Sequence, residues 1–154
     1  MKKIAVFPGS FDPITKGHEA IVKRGLLLFD EVVVAIGTNS AKQNYFDLAQ
    51  RTRMVAQTFK SFKNVRIECY NGLTVDFCKQ IKAGFILRGL RSNSDFEYES
   101  TIAQMNAALN NKVETVFILT APELSAISST VVRDVLRHKG NAAPFLPDSV
   151  KIKP

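Results

Sequence analysis

Short apolar runs alternate along this chain with longer stretches in which apolar residues recur every three or four positions. Ile4-Ala5-Val6-Phe7 predicts a buried strand closed by Pro8-Gly9. From His18 onward Ile21, Val22, Leu26, Leu28 and Phe29 recur at helical spacing, and the valine-rich segment Glu31 to Gly37 predicts a second strand. Met54, Val55, Phe59 and Phe62 mark a second helix with Asp47 as its N-cap, followed by the alternating strand Val65 to Tyr70. Thr74 to Lys82 predicts a helix and Phe85-Ile86-Leu87 a short buried strand. Ile102, Met105 and Leu109 then form one face of a longer helix, and Val116 to Leu119 supplies a fifth strand. Ser129 or Thr130 is placed to cap a final helix, and the proline-punctuated tail after Gly140 predicts a short helix or turn packed on the surface.

Strands that alternate with helices predict a parallel sheet, because parallel neighbours need crossovers and the crossovers are helices. The fold class is therefore α/β, a five-stranded parallel sheet doubly wound, with residues 1–154 forming one domain. Ligands of such sheets bind beyond the carboxyl ends of the strands, so chemistry is sought after Phe7, Gly37, Tyr70, Leu87 and Leu119.

Composition narrows the function classes. With 45% hydrophobic and 23% charged residues the chain has the profile of a folded domain rather than a disordered one. The opening Met1-Lys2-Lys3 is followed by too short an apolar run for a signal peptide, and no run approaches the roughly 20 apolar residues that span a bilayer. A cytoplasmic protein with no membrane partner is expected. Cys69 and Cys78 lack metal-site spacing and are expected as buried free thiols, while His18 and His138 lie too far apart to suggest zinc. A net charge of +7 suits polyphosphate substrates or nucleic acid. The basic residues are scattered, without a run of five or an aromatic-interleaved motif, so no nucleic-acid partner is expected.

Neither GxGxxG nor GxxxxGK[ST] is present, which excludes the common dinucleotide and P-loop signatures. The first strand runs instead into Pro8-Gly9-Ser10-Phe11-Asp12-Pro13-Ile14-Thr15-Lys16-Gly17-His18, a turn-rich loop ending at a helix start. Unpaired amides there favour an anion, and His18 can donate to a phosphoryl oxygen, with its protonation state left open by the residues alone. Arg88 and Arg91 place two guanidinium forks at the end of the fourth strand, suited either to phosphates or to ion pairs with Asp95, Glu97 or Glu99. Ser128, Ser129 and Thr130 precede a helix, where they can cap it or share phosphate oxygens.

Thr15-x-Gly17-His18 matches the Thr/His-x-Gly-His signature of the nucleotidyltransferase superfamily. Together with Arg88-Gly89-Leu90-Arg91, Asp95-Phe96-Glu97-Tyr98-Glu99 and Ile127-Ser128-Ser129-Thr130-Val131-Val132-Arg133, it makes the chain resemble the bacterial phosphopantetheine adenylyltransferases from Lys3 to about Pro147. The resemblance implies a Rossmann-like nucleotidyltransferase fold, transfer of AMP from ATP to 4′-phosphopantetheine with Mg²⁺, and formation of dephospho-coenzyme A and pyrophosphate in coenzyme A biosynthesis. It implies His18, Lys42 and Arg91 as catalytic groups, and Ser10, Lys42, Leu73, Thr74 and Arg88 as acceptor contacts. It further implies Ser10, Phe11, His18, Gly89, Leu90, Arg91, Glu99, Leu124, Ser128, Ser129 and Thr130 as ATP contacts. Leu124 stands where many relatives carry an aromatic residue. A homohexamer and feedback inhibition by coenzyme A are implied in the same way. Two alternatives remain at this point: a related transferase with another acceptor, such as nicotinate mononucleotide, and a basic nucleotide- or RNA-binding protein on the same fold.

Overall fold

The computed structural model describes residues 1–38 and 43–152. The elements follow in the order β1 (Ile4–Gly9), α1 (Lys16–Gly25), β2 (Glu31–Gly37), α2 (Leu48–Phe59), β3 (Val65–Tyr70), α3 (Thr74–Ile81), β4 (Phe85–Leu90), α4 (Asn93–Leu109), β5 (Glu114–Leu119) and α5 (Ser129–Arg137). Two 3₁₀ turns, Pro122–Leu124 and Ala143–Phe145, flank α5. All strand pairs are parallel and the spatial order is β3-β2-β1-β4-β5, so the strand order reverses at the β1–β4 junction.

Side chains alternate across the central strands and feed two cores. Ala5, Phe7, Val32, Val34, Ile36 and Leu87 face one layer, closed by Ile21 and Val22 of α1, Met54, Val55 and Phe59 of α2, and Val132 and Leu136 of α5. Val6, Val33, Ala35 and Ile86 face the other layer, where α3 contributes Val75, Phe77 and Cys78. Burial of Val32 through Ile36 on both faces accounts for the unbroken apolar run that the sequence shows there.

Several expectations from the pattern are corrected. α1 stops at Gly25, whose missing side chain lets it sit against Leu87, so Leu28 lies beyond the helix and is exposed. Ile102, Met105 and Leu109 do share a face of α4, but that face is open; the buried residue of this 17-residue helix is Glu99. Cys78 is buried as expected, whereas Cys69 is exposed because β3 is an edge strand. The cap of α5 is Ser128, one residue before the expected pair. The tail is not a surface appendage: Ala142, Leu146 and Val150 are buried in the larger core.

Leu146→Ala should therefore destabilise the protein by about 2–4 kcal/mol, as removal of a fully buried leucine does, read as a shift of the urea midpoint. A surface-packed tail would leave that midpoint nearly unchanged.

Candidate active site

Pro8 shapes the site before any charged residue does. β1 stays in register with β2 as far as Gly9↔Ile36, but its register with β4 ends at Val6↔Ile86. Pro8 brings no N–H to that ladder, and the central strands part where the strand order reverses, opening a crevice at the expected edge of the sheet. The crevice holds two adjoining chambers of about 490 and about 330 Å³. Pro8, Gly9, Ser10, Arg88 and Glu99 line both and form the wall between them. The larger chamber runs past Tyr70, Thr74 and Asn106; the smaller is bounded by His18, Arg91 and Ser128 to Thr130.

His18 is positioned by its own helix cap. Thr15 caps α1, its Oγ1 accepting the His18 amide at 3.4 Å, while the Thr15 amide donates to His18 Nδ1 at 3.0 Å. A ring nitrogen that accepts from an amide carries no proton, so the proton of the neutral imidazole resides on Nε2. The ring packs edge-on against Phe11 at 5.0 Å. Burial, then the nearby charges of Arg88 and Arg91, push its pKa down to about 4. The protonation state that the sequence left open is thereby fixed in physical terms: at neutral pH His18 is an uncharged donor with Nε2–H as its free end.

The two arginines are each held by an acid of the following helix. Arg88 grips Glu99 with two parallel bonds, Nε to Oε2 at 2.8 Å and Nη2 to Oε1, and its Nη1 donates to the Pro8 carbonyl at 2.7 Å. Three of its five N–H groups are thus used, leaving two for a ligand. Arg91 pairs with Asp95 at 3.2 Å and is more exposed. Ion pairing and ligand binding are compatible here, because the carboxylates orient the guanidinium planes without consuming them.

The loop after β1 is clasped through its carbonyl oxygens. Besides Pro8, the carbonyl of Ser10 accepts from Arg51 Nη1 at 2.7 Å, that of Asp12 from Arg133 Nη1 at 2.7 Å, and that of Pro13 from the Ser129 hydroxyl at 2.8 Å. The Asp12 carboxylate, 2% exposed, accepts the amides of Tyr45 and Phe46, both at 2.8 Å. Arg133 stood within a recognised signature, but the roles of Arg51 and Asp12 were not anticipated. A signal existed for Arg51: with Met54, Val55, Thr58 and Phe59 it occupies the buried face of α2, an unusual position for an unmatched charge.

The remaining expected residues fall as follows. Thr74 lines the larger chamber and bonds the Tyr70 hydroxyl at 2.9 Å, while Leu73 precedes it as the N-cap of α3. Gly89 and Phe11 line the smaller chamber, and Leu90 ends β4 beside them. Glu99 reaches both chambers with its oxygens on Arg88. Leu124 lies in the 3₁₀ turn after β5 and is not among the residues lining either chamber. Lys42 lies outside the described residues.

Two chambers meet over a neutral imidazole and an arginine at the reversal point of a parallel sheet, and the comparisons show a nucleotidyltransferase class. Residues 6–135 match the cytidylyltransferase-like family, to which the chain belongs. The fold is shared by the bifunctional NMN adenylyltransferase/ADP ribose pyrophosphatase of Francisella tularensis in complex with AMP and a manganese ion. That structure matches at TM-score 0.69 and 18% identity over 95% of this chain and 44% of that longer one. Within the class, the chain is 55% identical to the phosphopantetheine adenylyltransferase of Flavobacterium johnsoniae over 97% of both chains. It is 50% identical to that of Flavobacterium psychrophilum over 97% of this chain and 98% of the other. It therefore belongs with the phosphopantetheine adenylyltransferases.

The depressed histidine gives a signed prediction. Between pH 6.5 and about 4 the unfolded chain takes up a proton at position 18 that the folded chain refuses. Stability present above pH 6.5 is accordingly lost as pH falls through that window. In ¹⁵N-detected NMR the His18 ring should keep a bare Nδ1 and a protonated Nε2 through pH 6; a ring titrating near 6.5 would contradict the assignment.

Proposed function

We propose that the chain transfers AMP from ATP to 4′-phosphopantetheine, giving dephospho-coenzyme A and pyrophosphate. The observation that carries this reading is the paired chamber with Arg88 and Ser10 in the shared wall, which suits two anionic substrates meeting at one phosphorus. The smaller chamber, with Arg91 and the amino end of α5, suits a triphosphate. The larger, with Thr74 and Asn106, suits an acceptor that carries an amide-containing arm.

In this reading a phosphate oxygen of the acceptor attacks the α-phosphorus, the bond to the β-phosphate oxygen breaks, and pyrophosphate leaves with the electron pair. No enzyme side chain acts as nucleophile. Arg88 uses its two remaining N–H groups to hold the acceptor phosphate, and His18 donates from Nε2–H to a non-bridging α-phosphoryl oxygen whose charge grows in the transition state. A neutral donor shares its hydrogen in the bond and keeps its proton, so no acid–base step is required of it. Arg91, Thr130 and the first amides of α5 balance the β- and γ-phosphates. Ser129 contributes less as a donor than expected, since its hydroxyl proton is committed to Pro13. Ser10 stands between the substrates, and Lys42 completes the catalytic set.

Among the described residues no group of three His, Cys, Asp or Glu could cage a metal ion, and Asp95 and Glu99 are already paired with arginines. We therefore place Mg²⁺ with the nucleotide's phosphates rather than in a protein-made site, where it would offset their charge. Coenzyme A, which joins an adenine nucleotide to a pantetheine arm, would span the same pair of chambers and is the proposed feedback inhibitor. No described helix is long and apolar enough to cross a membrane, and we place the enzyme in the cytoplasm with its ATP. The open α4 face, with Tyr98, Met105 and Leu109 each more than half exposed, is the surface on which the proposed homohexamer would build.

An assay of ATP and Mg²⁺ with 4′-phosphopantetheine, run beside nicotinate mononucleotide, tests the reading: pyrophosphate and dephospho-coenzyme A should form with the first acceptor alone. Turnover with the second alone would change the acceptor and keep the class. His18→Ala should lower kcat by about 10²–10³-fold with ATP affinity nearly unchanged. Arg88→Ala should act mainly on the acceptor's KM. Light scattering should give a mass several times the 17.1 kDa of one chain, and a monomer at micromolar concentration would remove the assembly proposal.

A further inference from the structure

Arg51 is 2% exposed and lines neither chamber, yet it is among the most heavily hydrogen-bonded side chains beneath the site. Its Nε donates to the Phe46 carbonyl at 3.2 Å, and its Nη1 donates to the Ser10 carbonyl at 2.7 Å and, more weakly, to that of Gly37 at 3.4 Å. No carboxylate pairs with it within 4.0 Å among the described residues. Burying an arginine against carbonyl dipoles alone is costly, so leucine or methionine would be the expected occupant of this position on α2.

The geometry of a trans peptide shows what the arrangement accomplishes. The carbonyl oxygen and the amide hydrogen of one peptide point in opposite directions. With the Ser10 oxygen drawn down to Arg51, the N–H of the Ser10–Phe11 peptide points away from Arg51. Ser10 and Phe11 both line the smaller chamber, which sets this peptide at its wall, and Arg51 lines neither chamber. Phe11 has φ 48°, a left-handed conformation that a phenylalanine adopts only under constraint. Asp12 anchors the next residue by taking the amides of Tyr45 and Phe46, and Arg51 returns to the Phe46 carbonyl, so one buried cation and one buried anion lock the same turn from both ends.

We propose that Arg51 is a positioning residue for the adenylyl transfer: it holds the Ser10–Phe11 peptide in its strained orientation so that the Phe11 amide faces the nucleotide's phosphates. The inference rests on the transfer reading above. Arg51 touches no substrate, and its contribution runs through the backbone it orients. A lysine at this position keeps the charge but cannot present the planar fork that reaches Ser10 and Phe46 together.

The test combines kinetics on R51K with amide NMR of the wild-type protein. R51K should raise the KM for ATP about tenfold and lower kcat, with the KM for 4′-phosphopantetheine within about twofold of wild type. A merely structural role would instead reduce the amount of active protein without changing either KM. In the wild type, the Phe11 amide resonance should move on addition of ATP and stay in place on addition of the acceptor. Wild-type kinetic constants in R51K, or equal rises in both KM values, would overturn the proposal. So would a Phe11 amide indifferent to ATP, which decides the matter even where the variant does not fold. Should the wild type make no product, the transfer reading fails, while the amide response to ATP still reports on the placement of Phe11.

Discussion

The carbonyl oxygens of the loop from Pro8 to Pro13 have to be capped by donors, and the rest of the site depends on that constraint. A surface that takes an anion needs amides and positive charge on its inner side, and uncapped carbonyls there would repel the ligand. Four carbonyls of this loop are captured by side chains from three different elements: Arg88 of β4, Arg51 of α2, and Ser129 and Arg133 of α5. The loop therefore cannot relax without α2, β4 and α5 moving together. Residues far apart in the chain, such as Arg51 and Arg133, thus hold one loop together, Arg133 from the lining of the smaller chamber and Arg51 from outside it.

The same crowding of guanidinium groups determines how the histidine works. A charged imidazole beside Arg88 and Arg91 would add to an already positive crevice at the cost of desolvation, and the Thr15 amide occupies the nitrogen that would have to take the second proton. The outcome is a donor that is neutral and fixed in tautomer. In the proposed transfer its value would lie in pre-orientation, since the positive charge against the phosphates would come from arginines already held by Glu99 and Asp95. Charge and geometry are thus supplied by different residues.

What could be read in the sequence follows from what is local. The five strands and their helices were legible because burial on two faces and on one face leaves different periodicities, and the capping box of Asp47 with Gln50 lies within four residues. The crevice was legible because Pro8 and the loop behind it are contiguous. The pairing of Arg88 with Glu99 could be suspected from spacing but not separated from Asp95 or Glu97, since the choice depends on where α4 begins to turn. The tail misled because its apolar residues, Ala142, Leu146 and Val150, are spaced four apart between prolines and show no regular element. The open face of α4 misled for the opposite reason. Its periodicity is genuine, but periodicity says only that a face is apolar and cannot say whether the covering surface belongs to the same chain.

Arg51 shows the limit of pattern reading most clearly. On α2 it interrupts an apolar face, which by propensity alone would argue against burying that face. The structure buries it nonetheless, because what lies beneath is neither hydrocarbon nor a carboxylate but the ends of β1 and β2 and the turn before α2, all presenting oxygen. Oxygen-rich floors occur where strands end without a partner to continue the ladder, and in a doubly wound sheet that place is the ligand edge. A buried, acid-free cation on a helix that packs over strand ends is therefore a pointer to the site itself. Sequence can show the anomaly; only the fold shows that the anomaly lies under the loop after β1.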